Sequence, residues 1–206
     1  MTMSKGKILV ISGPSGVGKG TVVKELLKDS DEFAVSISAT TRQPREGEID
    51  GVNYFFMTKE QFMSKIENDQ MLEYAEYCGN YYGTPREYVE NTIEAGKNII
   101  LEIEVQGAMN VKKALPQAIT MFIMPDKWDT LEHRLLKRGS ETDEVIKKRL
   151  EVAITEMNVA DKYDYIVVNG ELQKCVDDVK AIINVENMKT EDNLEFIKGV
   201  LNDANA

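Results

Sequence analysis

The hydrophobic residues of this chain form short uninterrupted runs that alternate with segments of helical periodicity. Residues 7–11 read KILVI and lie between Gly6 and a Ser-Gly-Pro turn, a pattern typical of a strand that is buried on both faces. Four further runs of this kind predict buried strands at 33–38, 98–105, 118–124 and 165–168.

Between these runs, apolar residues recur at one-turn spacing. Val22, Val23, Leu26 and Leu27 predict a helix that starts at Lys19. The same periodicity predicts helices at 85–95, 107–114, 127–137, 143–158 and 173–183, and a docked terminal helix within 190–206. Because strands and helices alternate, we expect an α/β fold with a parallel sheet flanked by helices on both faces.

Two segments interrupt this alternation. Residues 40–83 contain Gly, Pro and short aromatic runs such as Tyr-Phe-Phe, which predict a small strand-rich insertion rather than another strand-helix unit. A shorter polar segment, GSET at 139–142, separates two predicted helices.

Composition and charge narrow the class of protein. The chain of 206 residues carries 25 Lys and Arg against 35 Asp and Glu, a net charge of −10, so we expect no nucleic-acid or anionic-membrane partner. No apolar run approaches the roughly 18 residues of a membrane span, and the short N-terminal run does not resemble a signal peptide, which predicts a cytoplasmic protein. Cys78, Cys175 and the single His133 lack disulfide or metal-ligand spacing.

A glycine-rich loop follows the first predicted strand. It consists of Gly13, Pro14, Ser15, Gly16, Val17, Gly18 and Lys19. A Gly, four residues and Gly-Lys between a buried strand and a helix form a phosphate-binding loop, whose backbone N–H groups and lysine cradle nucleotide phosphates. The alternative, an ordinary turn with a solvated lysine, is disfavoured by this context. Gly20 stands where the general pattern has Ser or Thr, and Thr21 comes next, which leaves open whether Thr21 reaches Mg²⁺ directly, through water, or only caps the helix.

Two arginines lie three residues apart in the stretch SATTRQPREGE at 38–48, which is followed by GVNY at 51–54. Arg42 and Arg45, held by Pro44, can present two planar donor groups to one phosphate, and Tyr54 can add a hydroxyl. Solvated surface arginines would be the default interpretation of this pair alone.

The stretch 38–54, the GKGT of the loop and LEYAEYCGNYYGT at 72–84 together resemble the signatures of guanylate kinases, and the resemblance extends from Lys7 to about Asn169. It implies that Arg42, Arg45, Tyr54 and Tyr82 bind the phosphate of GMP, and that Ser38, Glu73 and Thr84 hold the base. A carboxylate at Glu73 could accept both adjacent N–H donors of guanine, whereas adenine would leave it unpaired.

Two acidic residues lie at the end of the third predicted strand. Glu102 and Glu104 alternate with apolar residues, so we expect both on one face at the carboxyl end of the sheet, where ligands bind. The family usually has Asp at these positions, and Glu102 resembles the residue that contacts GMP near the phosphate loop.

Arginines also flank the polar segment at 139–142. Arg134 and Arg138 share a helix face and repel unless an anion lies between them, and Arg149 falls outside the apolar stripe of the next helix. The resemblance implies that this segment is a lid over ATP, with Arg134 and Arg138 as ATP ligands. Asn169 matches a position near the adenine, although an asparagine that caps a loop is nearly as consistent with the sequence.

The resemblance implies a kinase that transfers the γ-phosphoryl group of ATP to GMP, and to dGMP, with Mg²⁺ as cofactor. Lys19, Arg42, Arg138 and Arg149 would be the catalytic residues. The implied core comprises 1–37, 85–137 and 147–206, with a GMP-binding insertion at 38–84, a lid at 138–146, and a monomer or homodimer as the assembly. The rival hypotheses are a binding module of the type found in scaffolding proteins and a kinase of another small phosphorylated acceptor.

Overall fold

The computed structural model describes residues 5–28, 31–77, 79–136 and 143–205. In these ranges the strands are β1 (Ile8–Ser12), β2 (Phe33–Val35), β3 (Ala39–Thr40), β4 (Phe55–Phe56), β5 (Met71–Tyr77), β6 (Asn80–Pro85), β7 (Asn98–Glu102), β8 (Ile119–Met124) and β9 (Tyr165–Val168). The helices are α1 (Lys19–Leu26), α2 (Lys59–Glu67), α3 (Arg86–Glu94), α4 (Val105–Ala114), α5 (Trp128–Leu136), α6 (Asp143–Met157), α7 (Leu172–Asn187) and α8 (Leu194–Ala204).

A five-stranded parallel sheet in the order β2-β7-β1-β8-β9 forms the centre of the molecule. Successive residues of β1 point to opposite faces, and both faces are covered. Leu9 and Ile11 pack with α1 and α7, while Ile8 and Val10 pack in a second apolar cluster that includes Val111 of α4. This two-sided burial explains the continuous apolar runs, and the predicted α/β fold is confirmed.

A second sheet, in the order β4-β3-β6-β5, lies within the predicted insertion. Its own small core consists of Ala39, Phe62 and Met71, with partly buried aromatic residues around them. Phe62 belongs to α2, a helix that the prediction of a strand-rich insertion missed. Its signal is present in the sequence, because Thr58 and Gln61 form a capping box at its start.

Several predicted boundaries are wrong. β2 ends at Val35 and β7 at Glu102, so residues 103–105 do not continue the strand as predicted. α4 begins at Val105, with Glu104 as its N-cap in an extended conformation at φ −71° and ψ 163°. An N-cap of this kind has strand-like backbone, which is why the alternation appeared to continue.

The terminal helix forms as predicted, but it does not dock. No residue of α8 is buried, and Phe196 is 70% exposed. Among the residues that the structure describes, no helix has the length and apolar character needed to cross a membrane. Residues 138–142 of the predicted lid lie outside the described ranges.

Candidate active site

The phosphate-binding loop joins β1 to α1 through glycines that no other residue could replace without strain. Gly16 and Gly18 have φ angles of 86° and 100°, in the left-handed region. A Cβ atom at Gly16 would lie 2.6 Å from Leu135 Cδ2, and one at Gly18 would lie 2.7 Å from Asn169 Nδ2. The loop is therefore packed tightly against α5 and the end of β9.

Lys19 folds back over this loop. Its Nζ donates to the carbonyl oxygens of Gly13 at 2.5 Å and Pro14 at 3.3 Å. Burial lowers the pKa of Lys19, while the carboxylates of Glu156, Glu102 and Glu104 oppose that shift. The loop thus contains a partly desolvated cation, which favours an incoming anion.

Arg134 and Asn169 hold the loop in place by hydrogen bonds to its backbone. The Val17 carbonyl accepts hydrogen bonds from Arg134 Nη1 and Asn169 Nδ2, both at 2.8 Å, and Arg134 Nη2 donates to the Asn169 carbonyl at 3.1 Å. Asn169 is only 4% exposed. The structure gives both residues this bracing contact, and their predicted contacts to ATP stay predictions.

Helix α6 reaches the same loop with two side chains. Arg149 Nη2 donates to Ser15 Oγ at 2.7 Å, and the Ser15 backbone N–H points to Glu156 Oε2 with an N–O distance of 3.4 Å. Burial raises the pKa of Glu156, against the effect of Lys19. Sequence reasoning missed Glu156, although its position seven residues after Arg149 places it on the same helix face.

Arg42 lies just after β3 of the second sheet, in contact with a carboxylate and an aromatic ring. It makes a bidentate pair with Glu48, with Nη1–Oε2 and Nη2–Oε1 distances of 3.0 and 2.8 Å. Its guanidinium carbon lies 5.4 Å from the centre of the Tyr54 ring, which in turn packs edge-on against Tyr82 at 6.1 Å between ring centres. The hydrogen bonds to Glu48 raise the pKa of Arg42. The structure therefore brings Arg42, Tyr54 and Tyr82 together, and adds Glu48, to which the sequence had assigned no role.

Arg45 and Ser38 are placed less tightly. The Arg45 side chain is exposed, while its backbone N–H donates to Glu48 Oε2 at 2.7 Å. Ser38 is partly buried just before β3, and its carbonyl accepts from the Phe55 N–H at 2.9 Å. Both predicted GMP ligands border the second sheet.

Glu73 is a buried carboxylate on β5. It is 9% exposed, and its Oε1 accepts a hydrogen bond from Thr84 Oγ1 of the neighbouring strand at 2.7 Å. Burial raises the pKa of Glu73, and the hydrogen bonds from Thr84 oppose this. Its other oxygen approaches α4 so closely that a Cβ at Gly107 would lie 3.2 Å from Oε2. Glu73 and Thr84 thus form a single polar site, and Gly107 makes room for it, while their predicted contacts to the base stay predictions.

Glu102 and Glu104 both lie near Lys19, but they do not belong to the same strand. Glu102 ends β7 beside the loop, so that a Cβ at Gly20 would lie 3.6 Å from its Oε1. Its side chain is open to the cleft, yet neighbouring protein atoms desolvate it enough to raise its pKa, while the charge of Lys19 opposes this. Glu104 belongs to the helix cap, so the prediction of one shared strand face is wrong.

Two predicted residues remain outside this geometry. Arg138 lies outside the described residues, and Thr21 is exposed in the first turn of α1. Two cavities of about 570 and 600 Å³ border α2 and α3 instead of the phosphate loop. The site is therefore described by the residues of the loop and of the second sheet.

The chain is similar to known proteins over most of its length. The family model described as guanylate kinase matches residues 5–186. The guanylate kinase of Halalkalibacterium halodurans is 52% identical over 191 residues, which cover 93% of this chain and 94% of that protein. The guanylate kinase of Desulfitobacterium hafniense is 48% identical over 200 residues, covering 97% of this chain and all of that protein.

A solved structure gives the same result at the level of the fold. The crystal structure of guanylate kinase from Anaplasma phagocytophilum superposes with a TM-score of 0.70 at 34% identity, covering 92% of this chain and 90% of that one. The chain therefore belongs to the guanylate kinase family.

Proposed function

We propose that this chain transfers the γ-phosphoryl group of ATP to GMP, and also to dGMP, giving the nucleoside diphosphates. The observation that carries the proposal is the first turn of α4, which joins two half-sites. The negative charge of its N-cap, Glu104, attracts the ammonium group of Lys19 in the phosphate loop. Gly107 in the same turn lies against the Glu73 carboxylate. A donor phosphate and an acceptor base would then be held on either side of one rigid element.

On the acceptor side, Glu73 and Thr84 suit the base. Guanine presents two adjacent N–H donors, which a carboxylate can accept, and a mismatched base would leave the buried charge of Glu73 unpaired. Arg42, Arg45, Tyr54 and Tyr82 suit the GMP phosphate, because guanidinium and hydroxyl donors match phosphate oxygens. Ser38 and Glu102 complete the proposed acceptor ligands.

On the donor side, the loop from Gly13 to Thr21 would bind the ATP phosphates, with Arg134, Arg138 and Asn169 as further ligands. Phosphoryl transfer has a charge-dispersed transition state, so catalysis is mainly positioning and charge neutralisation. Lys19, Arg138 and Arg149 would stabilise the transferring group, while Arg42 holds the acceptor. A GMP phosphate oxygen is the nucleophile, and no covalent enzyme intermediate is needed.

The oxygen groups beside the loop are suited to Mg²⁺. Mg²⁺ prefers oxygen ligands and is usually held by one or two protein groups together with substrate phosphates and waters. Among the described residues, no group of three His, Cys, Asp or Glu could hold a metal. The nucleotide would therefore supply most ligands, with the Thr21 hydroxyl as a protein ligand, directly or through water. When bound, the ion would neutralise charge on the transferring group.

We also propose that residues 38–84 act as a GMP-binding insertion and residues 138–146 as a lid on a core formed by 1–37, 85–137 and 147–206. Closure of both would exclude water from the cleft and limit hydrolysis of ATP. The small core around Phe62 supports this division, because Ala39, Phe62 and Met71 pack with one another rather than in the core of the central sheet.

A coupled assay of ADP release across GMP, dGMP, AMP, UMP and dTMP, with and without Mg²⁺, tests the proposal. We expect release with GMP and dGMP that requires Mg²⁺, and a loss of about 10³-fold or more in Lys19→Met because the transition-state cation is removed. Lys24→Met, an exposed lysine of α1, is the matched control. A folded Lys19→Met enzyme with unchanged turnover would contradict the assignment.

The identity of the acceptor is tested separately with Glu73→Gln. We expect kcat/KM for GMP to fall by about 10²-fold or more, since one of the two oxygens that accept from guanine becomes a donor. Glu76→Gln, exposed on the same strand, controls for the change of charge. If acceptor preference is the same in Glu73→Gln, the site does not recognise guanine.

A further inference from the structure

Two side chains of helix α6 make polar contacts with one residue of the phosphate-binding loop, Ser15. Arg149 and Glu156 are seven residues apart and share one helix face, with the fully buried Ala153 between them. Arg149 donates a hydrogen bond to the Ser15 hydroxyl, and Glu156 accepts one from the Ser15 backbone N–H. The helix that follows the proposed lid therefore presents both a cation and an anion to the loop.

The anion is the unexpected partner. Backbone N–H groups of such a loop bind phosphate oxygens, and a carboxylate oxygen is the same kind of acceptor. Glu156 is also close enough to Lys19 for each charge to act on the other. The Glu156 carboxylate thus contacts the same kind of donor, a backbone N–H of the loop, that a bound phosphate would contact.

Charged and titratable groups from several elements lie near Glu156. Lys19 faces it from α1, Glu104 from the N-cap of α4, Arg149 from its own helix, and the Tyr163 hydroxyl from beyond the 3-10 turn at Ala160–Lys162. Lys19 attracts the carboxylate, whereas Glu104 repels it. Nucleotide phosphates at the loop would bring further negative charge to the same place.

We propose that Glu156 is a positioning residue that holds α6 on the loop by acting as an internal substitute for a nucleotide phosphate, and that bound nucleotide displaces it. The proposal rests on the proposed function, because the displacing ligand is the donor nucleotide. Nucleotide binding must then break the contact between Glu156 and Ser15, so occupancy of the loop is coupled to the position of α6 and of Arg149. Because Glu156 competes with the phosphates of ADP for the loop, it weakens ADP binding and favours product release.

The coupling can be measured by titrating ADP, ATP and GMP into wild-type protein, Glu156→Gln and Glu151→Gln. Glu151 is an exposed carboxylate of the same helix and is the control for charge. We expect Glu156→Gln to bind ADP and ATP about tenfold more tightly, with GMP affinity and the control unchanged. In steady state, KM for ATP should fall and, where product release limits turnover, kcat should fall with it.

A residue that merely supports the loop would give the opposite result. If folded Glu156→Gln binds ADP with equal or lower affinity than wild type, the proposal is overturned. If Glu156→Gln does not fold, Glu156→Asp, whose carboxylate is one methylene farther from Ser15, must bind ADP more tightly than wild type. Failure of wild-type protein to phosphorylate GMP would refute the proposed function alone, because the present test is read from ADP binding.

Discussion

At the scale of single residues, Glu73 is subject to opposing requirements of binding and folding. Its pKa is raised by burial above the value of an unfolded chain. Between the two values the folded state binds more protons than the unfolded state, so stability falls as pH rises through this window, and the penalty is complete above the folded pKa. Glutamine carries no such penalty.

We therefore expect ligand-free Glu73→Gln to be more stable than wild type at pH 8, with a difference that shrinks as pH falls toward 4.5. Urea denaturation at a series of pH values measures this, with Glu76→Gln as the exposed control. A variant that is less stable than wild type at pH 8 would show that the Thr84 hydrogen bonds outweigh the burial of the charge.

Glu48 is the second residue for which the structure makes a prediction. It fixes the Arg42 guanidinium by two hydrogen bonds while the Tyr54 ring packs on it. Without Glu48 the guanidinium would sample other orientations, and small misplacements of a binding group are costly. We expect Glu48→Ala to raise KM for GMP about tenfold and to leave KM for ATP unchanged.

The exposed Glu46 provides the matched variant Glu46→Ala for this measurement. Equal effects of the two substitutions on KM for GMP would mean that the site responds only to local charge. A lower KM for GMP in Glu48→Ala would instead mean that Glu48 competes with the substrate phosphate.

At the scale of elements, two glycines of the loop should respond in opposite ways to a methyl group. Gly18 has a left-handed backbone and no room beside Asn169, whereas Gly20 is helical and a Cβ there would make only ordinary contacts. We expect Gly18→Ala to cost about 1 to 3 kcal/mol and to raise KM for ATP at least tenfold. Gly20→Ala should add about 0.5 to 1 kcal/mol of stability.

Thermal unfolding of the two variants in parallel distinguishes strain from the general effect of an added methyl. If Gly18→Ala is as stable as wild type, the loop is more adaptable than its packing indicates.

At this scale, the sequence predicts features whose residues are close together along the chain better than features that depend on distant residues. The loop and its flanking strand and helix are encoded within about 20 neighbouring residues, and they were predicted correctly. Glu156 was missed because its partner Ser15 lies 141 residues away. The end of β7 was misplaced because a helix N-cap has the same extended backbone as a strand.

The terminal helix shows another limit. The spacing of its apolar residues correctly predicted α8, since periodicity defines a face. Periodicity does not say what covers that face, and the prediction that α8 docks was wrong.

At the scale of the whole molecule, the second sheet has a small core of its own, although Leu72 of β5 packs with the central sheet. Damage to that small core should therefore largely spare the central sheet. Phe62 is fully buried in the core of the second sheet. We expect Phe62→Ala to destabilise that sheet by about 3 to 5 kcal/mol, to weaken GMP binding strongly and to retain ADP binding. Titration of each nucleotide, with hydrogen exchange of β3 to β6, measures the effect.

Phe122→Ala is the comparison, because Phe122 is equally buried but belongs to the central sheet. It should weaken the binding of both nucleotides. Loss of ADP binding in Phe62→Ala as well would show that the two cores unfold as one.

The arginines are distributed over the whole molecule in a way that composition alone could not reveal. Of the six arginines, only Arg86 lies outside the predicted nucleotide-binding segments. The structure shows that it joins the two parts of the chain, since Arg86 Nη2 contacts both carboxylate oxygens of Asp69 at 3.1 Å from the start of α3. Nothing in the sequence indicated this role, because Arg86 and Asp69 meet only in the folded chain.

The order of strands in the central sheet has a consequence for synthesis of the chain. β1 is made first but occupies the middle of the sheet, between β7 and β8. The Lys7 N–H donates to the Asn98 side chain 91 residues farther along, and at about 5 to 20 residues per second the ribosome takes roughly 5 to 20 s to make that partner. During this interval, both edges of the apolar strand β1 lack their partner strands on the nascent chain. Chaperone binding would matter most to this enzyme in that period.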